Sequence, residues 1–290
     1  MTALTTYARA ALPLVPGASL LPFVAGRGKE MPALERRLAG VTVDPADLAD
    51  YARVCGFTLR DALPATYLHV RAFPLHMELM TDGRFPFPAV GLVHLSNRIT
   101  VHRPARVSET FDLVVRTTPI EPHPKGRTFS LVSTASVDGA VVWEDVSTML
   151  CRGGGSATAS DGSEGAGSGD ARQSGVPGEQ QIDGAPVEWR LAGDLGRRYG
   201  SVSGDRNPIH LHALTARAFG FPSAIAHGMW TKARCLAALE PLPDAYAVDV
   251  SFKRPILLPS RVTFAADNER FVVRSAKRPD ITHLEGTVTP

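Results

Sequence analysis

The 290-residue sequence is poor in cysteine, in aromatic residues and in long apolar runs. Its three cysteines, Cys55, Cys151 and Cys235, are odd in number and form no Cys-x-x-Cys pair. This pattern argues against a disulfide scaffold and a thiolate metal site, and it favours a reducing compartment. No apolar run reaches the ~20 residues of a membrane-spanning helix. We therefore expect a cytoplasmic protein without a membrane span.

The sequence also lacks a strong excess of charge of either sign. Its net charge is +2 and its pI is about 8.5, with basic residues scattered among acidic ones. No nucleic-acid-binding motif is present, so we expect no nucleic-acid partner. The apolar stretch 10–25 resembles the core of a signal peptide, but three prolines interrupt it and basic residues follow it. We do not interpret it as a secretion signal.

Composition divides the chain into two units joined by a linker. Residues 152–185 are rich in Gly, Ser, Ala, Asp and Glu, which predicts a flexible segment without a core of its own. The flanking units, 1–151 and 186–290, have the same order of elements. Each contains a helix that is apolar on most sides, at 68–80 and 228–239, followed by four strand-like runs. A helix that is apolar on most sides is predicted to be buried within the fold, and the repeated order indicates an internal duplication.

Caps and turns locate the remaining elements. Asp44 and Pro45 predict the start of a helix that ends at Gly56. Pro74 is expected in the first proper turn of the apolar helix. Helices are predicted over 191–202 and 209–219. The strands are predicted at 90–101, 109–117, 127–137, 140–150, 246–252, 261–267, 270–276 and 282–288, with a hairpin turn at Asp138-Gly139.

The strongest chemical signal lies between Ser203 and His210. Asp205, Asn207 and His210 occur within six residues, between a glycine and a proline that disfavour a regular helix. A histidine can exchange protons at neutral pH, and an aspartate can hold a water molecule beside it. The segment therefore has the residues needed for proton transfer.

A second signal, His227-Gly228, begins the apolar helix at 228–239. The first N–H groups of a helix lack internal acceptors and attract negative charge, and a glycine there permits close approach. Each residue also has a purely structural interpretation, because isolated Asp and His residues commonly stabilise turns or make polar contacts. A metal site is a further alternative, but the spacing matches no zinc motif.

Together, Ser203 to His210 and His227-Gly228-Met229 resemble the MaoC-like family of (R)-specific enoyl hydratases and 3-hydroxyacyl-thioester dehydratases. The whole chain resembles the double-hotdog members of that family found in actinobacteria. The resemblance implies an α+β double hotdog, in which two antiparallel sheets are each wrapped around a central helix. One chain would then equal the usual dimer of single hotdogs, as a pseudo-dimeric monomer or within a homodimer.

The resemblance also implies roles for individual residues. Asp205 and His210 would be catalytic, and Asn207 would orient them. Gly228 would supply the backbone N–H of an oxyanion hole, and Ser203 and His227 would belong to the substrate-binding set. The implied chemistry uses no metal and no cofactor.

The implied activity is the reversible hydration of trans-2-enoyl thioesters to (3R)-3-hydroxyacyl thioesters, on coenzyme A or acyl carrier protein. The N-terminal unit lacks the Asp/Asn/His set and would leave room for the acyl group. A non-catalytic acyl-thioester-binding subunit is the main alternative, and a thioesterase is a weaker one. Family members often have small or aliphatic residues where this chain has Lys232 and Arg234, which we expect to face outward or toward a phosphate.

Overall fold

The structure, a computed structural model, describes residues 30–89, 91–152, 182, 184–267 and 269–290. The apolar stretch 10–25 and nearly all of the predicted linker 152–185 lie outside these residues. Within the part of the chain that is described, no helix is long and apolar enough to cross a membrane.

A single antiparallel sheet of 11 strands forms the framework of the protein. Ten of its strands follow the order β1-β3-β5-β6-β2-β8-β11-β10-β9-β7, and β4 pairs with β5. The strands are β1 (Glu35–Val41), β2 (Val93–Val101), β3 (Phe111–Thr117), β4 (Glu121–His123), β5 (Gly126–Val137), β6 (Ala140–Arg152), β7 (Val187–Leu191), β8 (Tyr246–Phe252), β9 (Ser260–Ala266), β10 (Arg270–Ser275) and β11 (Thr282–Thr289).

Six helices accompany the sheet within the described residues. The two longest, α2 and α6, are the predicted apolar helices, and both are largely buried. The helices are α1 (Pro45–Cys55), α2 (Tyr67–Met80), α3 (Leu195–Ser203), α4 (Pro208–Leu211), α5 (Ala213–Ala218) and α6 (Gly228–Leu239). These elements confirm the predicted α+β architecture.

The two halves meet at the centre of the sheet, where β2 pairs antiparallel with β8. The strands on the two sides of this central pair follow a corresponding order. In the N-terminal half they run from β2 through β6, β5 and β3 to β1, and in the C-terminal half from β8 through β11, β10 and β9 to β7. The chain just before each central helix also makes a corresponding hydrogen bond. Leu63 N donates to Ala105 O at 2.7 Å, and Ala226 N donates to Ile256 O at 2.9 Å. Such paired contacts are expected of a duplicated unit.

Three details of the predicted elements were wrong. Pro74 lies in the interior of α2, on its exposed side, and not in its first turn. Residues 187–191 form the edge strand β7, whose Trp189 and Leu191 face the core, and α3 begins only at Leu195. The helix predicted over 209–219 is divided into α4 and α5 because His212 is extended, with φ −143° and ψ 146°.

Candidate active site

A tight turn after α3 presents the polar motif. Gly204 ends the helix with a left-handed φ of 75°, a conformation that glycine adopts at low cost. Asp205 N then donates to the Ser203 hydroxyl oxygen at 3.2 Å, and Asn207 N donates to Asp205 Oδ1 at 3.1 Å. Ser203, predicted to bind substrate, is buried and supports this turn. These bonds fix the position of the Asp205 carboxylate, whose side chain is 26% exposed.

Asn207 begins the short helix α4 that carries His210. Its side-chain oxygen accepts from Ile209 N at 3.4 Å, and Pro208 occupies the first helical position. A side-chain acceptor at the N-cap and a proline at the next position both favour a helix start. Asn207 therefore orders the loop through the backbone.

His210 is held in one tautomer. Its Nδ1 lies 2.8 Å from the Ile225 carbonyl oxygen, which can only accept a hydrogen bond. Nδ1 must therefore carry the proton, which leaves Nε2 of the neutral ring with a free lone pair. Burial lowers the pKa of His210, while the nearby Asp205 carboxylate acts to raise it. The neutral, proton-accepting form is thus favoured at neutral pH.

His227 packs face to face on His210. Their ring centroids are 3.7 Å apart and their planes differ by 24°. His227 Nε2 lies 3.1 Å from the Asp205 backbone oxygen and so donates to it, and Nδ1 is buried without a hydrogen-bond partner. Burial and, to a lesser extent, the neighbouring His210 lower the pKa of His227 to about 3, while Asp205 opposes the shift. His227 therefore joins the turn at Asp205 to the start of α6.

The N-terminus of α6 opens beside this group of side chains. His227 is its N-cap residue and makes no side-chain capping bond, and Gly228 is its first helical residue. The sequence suggested that Gly228 gives a ligand room. The structure instead shows the Phe252 ring in that space, 2.9 Å from where a Cβ atom would lie. Glycine is needed there for packing against β8, and its backbone N–H remains a candidate donor to an anion.

Asp205, His210 and His227 are brought close enough to share one small ligand. Their candidate ligand atoms all lie within 4.8 Å of one another, so the set could also surround a cation. Each imidazole donates one N–H to a backbone carbonyl, which leaves its other nitrogen as a proton acceptor or ligand atom. The remaining atoms can handle a proton or a water molecule without a metal.

Two glycines of α3 that were not among the predicted site residues allow the motif to pack closely. A methyl group at Gly196 would lie 1.8 Å from the His210 carbonyl oxygen, and one at Gly200 would lie 2.8 Å from the Asp205 carbonyl oxygen. Their i, i+4 spacing places them on one face of the helix. Two glycines at this spacing directly before the polar motif were the sequence feature that could have predicted this close packing.

The expectation for Lys232 was wrong. Its side chain is completely buried and points to the sheet, where it contacts Asn97 and Val248. Arg234 is only partly buried, and its guanidinium lies over the Trp189 ring at 5.0 Å from the centroid. The same arginine lies against Gly56, in the half that lacks the polar motif.

The N-terminal half contributes to the surroundings of the motif through α2. Phe73 on this helix has a ring carbon 4.0 Å from where a Cβ atom of Gly204 would lie. Because Gly204 directly precedes Asp205, the site borders on both halves of the chain.

Comparisons with known proteins agree with this arrangement. The model of the MaoC like domain matches residues 182–285. A 3-hydroxyacyl-thioester dehydratase X of Mycobacterium tuberculosis is 36% identical over 257 residues, which cover 87% of this chain and 83% of that protein. The crystal structure of HtdX from M. tuberculosis superposes with a TM-score of 0.73 at 32% identity, covering 88% of this chain and 99% of that chain.

A more distant structure supports the fold alone. An M. tuberculosis protein described as having a double hotdog fold superposes with a TM-score of 0.50 at 16% identity, covering 87% of this chain and 94% of that chain. The continuous antiparallel sheet, the two enclosed helices and the close similarity to the dehydratase lead to one assignment. This chain belongs to the MaoC-like dehydratase family and has its double-hotdog form.

Proposed function

We propose that this protein catalyses the reversible hydration of trans-2-enoyl thioesters to (3R)-3-hydroxyacyl thioesters. The observation that carries the proposal is the pairing of Asp205 with a tautomerically fixed His210 beside the N-terminus of α6. The similarity to a protein named as a 3-hydroxyacyl-thioester dehydratase supports the same reaction.

His210 is the proposed general base in the hydration direction. Its Nε2 lone pair accepts a proton from a water molecule whose oxygen adds to C3 of the enoyl group. Asp205 holds the same water molecule and aids return of a proton to C2. In the dehydration direction the two groups act in reverse, so the hydroxyl leaves from C3 as water.

The first turn of α6 is the proposed oxyanion site. Negative charge develops on the thioester oxygen while C2 is electron-rich, and the Gly228 N–H with the helix dipole stabilises it. His227 holds the entry to this helix against the turn at Asp205. His227 therefore connects the proposed proton-transfer groups, Asp205 and His210, to the proposed oxyanion site.

The two halves have different proposed roles. The unit at 186–290 carries the catalytic groups, and the unit at 1–151 accommodates the acyl group through α2, where Phe73 borders the site. The segment 152–185 is the proposed linker between them. The described cysteines are free, which suits a reducing compartment such as the cytoplasm.

Coenzyme A and acyl carrier protein both remain candidate carriers. The exposed side chains of Lys253 and Arg254 follow β8 and are the proposed contacts to a phosphate or to an acidic carrier surface. Lys253 already pairs with Glu285 at 3.0 Å, so an anionic ligand would compete with that carboxylate.

Turnover of enoyl thioesters tests the proposal directly. Purified protein should hydrate crotonyl-CoA and longer trans-2-enoyl-CoA substrates, with loss of enoyl absorbance and formation of the 3R product on chiral analysis. The same series on acyl carrier protein identifies the preferred carrier. Binding of these thioesters without turnover would instead support a non-catalytic acyl-binding subunit.

A further inference from the structure

A completely buried lysine lies one helical turn beyond Gly228. Lys232 Nζ is 2.5 Å from Asn97 Oδ1, 3.1 Å from the Asn97 carbonyl oxygen and 3.1 Å from the Val248 carbonyl oxygen. An ammonium group has three N–H donors and no acceptor, so these three oxygens satisfy it completely. Burial lowers the pKa of Lys232 to about 7, and Asp145 opposes the shift.

The hydrogen bonds continue from Lys232 into the N-terminal half. Asn97 Nδ2 donates to Asp145 Oδ2 at 2.7 Å, and His69 Nδ1 lies 3.0 Å from the same oxygen. Ser147 Oγ donates to Asp145 Oδ1 at 2.9 Å. Burial acts to raise the pKa of Asp145, but His69 and these hydrogen bonds outweigh it and the net shift is downward. A buried carboxylate and a buried ammonium are thus joined through one amide.

This chain of contacts connects the two central helices across the central β2–β8 pair of the sheet. Lys232 belongs to α6, His69 belongs to α2, and Asn97 lies on β2 opposite Val250 of β8. The N-terminal parts of both helices therefore reach the same pair of residues, Asn97 and Asp145. The contacts fix how deep each helix lies above the strands that join the halves.

Stability alone does not account for these buried charges. Desolvation of two ions is costly, and well-packed apolar residues of similar volume are often as stabilising as a buried ion pair or more so. Directed hydrogen bonds differ from apolar packing because they specify position. The three hydrogen bonds of Lys232 fix the position of the N-terminal end of α6, which begins at Gly228.

We propose that Lys232 is a positioning residue for the oxyanion-binding turn of α6, anchored through Asn97 to Asp145 and His69 of the other half. The inference rests on the proposed hydratase function. Lys232 does not touch the reacting atoms. Its anchor keeps the Gly228 N–H where negative charge develops on the thioester.

Two variants separate positioning from general stability. K232M removes all three hydrogen bonds and a buried positive charge that acts on Asp145 through Asn97. K232M/D145N removes both charges. An asparagine at residue 145 can still accept from His69 and Asn97 with its oxygen, while its NH₂ group donates to Ser147. R234M is the matched control, because Arg234 lies on the same helix but packs on Trp189.

The expected result is a split between stability and turnover. K232M should have a lower Tm, and K232M/D145N should recover the part of that loss that comes from the unbalanced charge of Asp145. The double variant should still have kcat reduced on the order of 10²-fold with little change in KM, since small misplacements of reacting groups cost about this much. R234M should keep kcat near the wild-type value. Recovery of kcat together with Tm in the double variant would overturn the proposal.

Hydrogen exchange provides a readout independent of catalysis. The hydrogen-bonded amides at the N-terminal end of α6, from Thr231 onward, should exchange faster in K232M/D145N than in the wild type, and those of β10 should not change. Equal exchange in both proteins would also overturn the proposal. If the wild-type protein hydrates no enoyl thioester while the exchange difference is present, the proposed function fails and the anchoring role of Lys232 remains.

Discussion

The Ile225 carbonyl oxygen accepts the Nδ1 proton of His210 at 2.8 Å, across 15 residues of sequence. This bond leaves Nε2 as the ring's acceptor and fixes its direction. Ile225 is itself held in place, because its N–H donates to the Ile209 carbonyl oxygen at 3.1 Å and the residue bridges to Leu257. The proposed proton-accepting atom, His210 Nε2, is therefore aligned by backbone groups that no side-chain substitution removes.

Replacement of Asp205 by asparagine should abolish most of the hydration activity. Asparagine keeps the shape and can preserve the turn, but it cannot carry a negative charge or return a proton. General acid–base groups contribute ~10²–10⁴-fold in rate, so kcat should fall by about that factor. Binding of a 3-hydroxyacyl-CoA, measured by calorimetry, should change little.

D194N is the matched control for that substitution. Asp194 lies at the other end of α3, is exposed and makes no side-chain capping bond. Its variant should hydrate crotonyl-CoA at the wild-type rate. Full activity in D205N would show that Asp205 is a turn residue only.

The pH dependence of kcat/KM should have an acid limb set by His210. Only the neutral ring accepts a proton, so activity is present above the pKa of His210 and is lost as the pH falls through it. Because burial lowers that pKa, the limb should lie below the ordinary histidine value of about 6.5. NMR titration of labelled imidazoles should give the same midpoint. A limb above that value would contradict a buried neutral base.

Alanine at Gly196 should disable the site without touching the substrate. A methyl group there would lie 1.8 Å from the His210 carbonyl oxygen, so α4 must move. Overpacking of this kind costs ~1–3 kcal/mol in the free energy of unfolding, and the displaced imidazole should lower kcat strongly. Thermal unfolding and the hydration assay measure both effects.

G193A tests whether that effect is specific to position. A methyl group at Gly193 would lie 3.7 Å from Pro259 Cδ, which is ordinary van der Waals contact. The variant should retain wild-type activity and Tm. If G193A and G196A lost activity and stability equally, the cause would be reduced backbone flexibility near the start of α3 and not contact with the His210 carbonyl oxygen.

Removal of metal ions should leave hydration unchanged. Asp205, His210 and His227 could surround a cation, but the proposed proton transfers use the same atoms without one. The rate after dialysis against EDTA should match the rate of untreated protein, and added Zn²⁺ should inhibit by occupying those atoms. Loss of activity on chelation, with recovery on metal addition, would replace the proposed mechanism by a metal-assisted one.

Acid should destabilise the protein through its buried neutral histidines. Burial lowers the pKa of His76 to about 3, of His94 to about 4 and of His227 to about 3. Between pH 6.5 and 4 the unfolded chain therefore binds more protons than the folded one, and the free energy of unfolding falls as the pH falls. Each such histidine adds ~1.4 kcal/mol per pH unit to the slope.

Urea unfolding at several pH values measures that slope, and H76Q should reduce it by about one proton. His76 is a suitable choice because it is buried and, among the described residues, its ring hydrogen-bonds only to Ser133 Oγ, at 2.7 Å. A slope unchanged by this substitution would show that His76 titrates alike in the folded and unfolded states.

Local patterns in the sequence were sufficient for the order of elements and for the residues of the motif. Apolar helices, turn residues and caps act over a few positions, so α1, α2 and α6 could be predicted close to their observed bounds. Strand β7 was missed although Trp189 and Leu191 alternate with exposed residues, because the run is short. The family resemblance rested on the same local motif, and the fold comparison confirmed it.

Relations between distant segments were decided only by the tertiary structure. The tautomer of His210 depends on a carbonyl brought near by the bridge at Ile225, and the role of Gly196 depends on how α4 packs against α3. Lys232 looked like a surface lysine because charged residues are rarely buried without partners, and its partner Asn97 lies 135 residues away. The sequence by itself determined which chemical groups are present and on which elements; folding decided which of them meet, because hydrogen bonds and close packing depend on distances that local patterns do not contain.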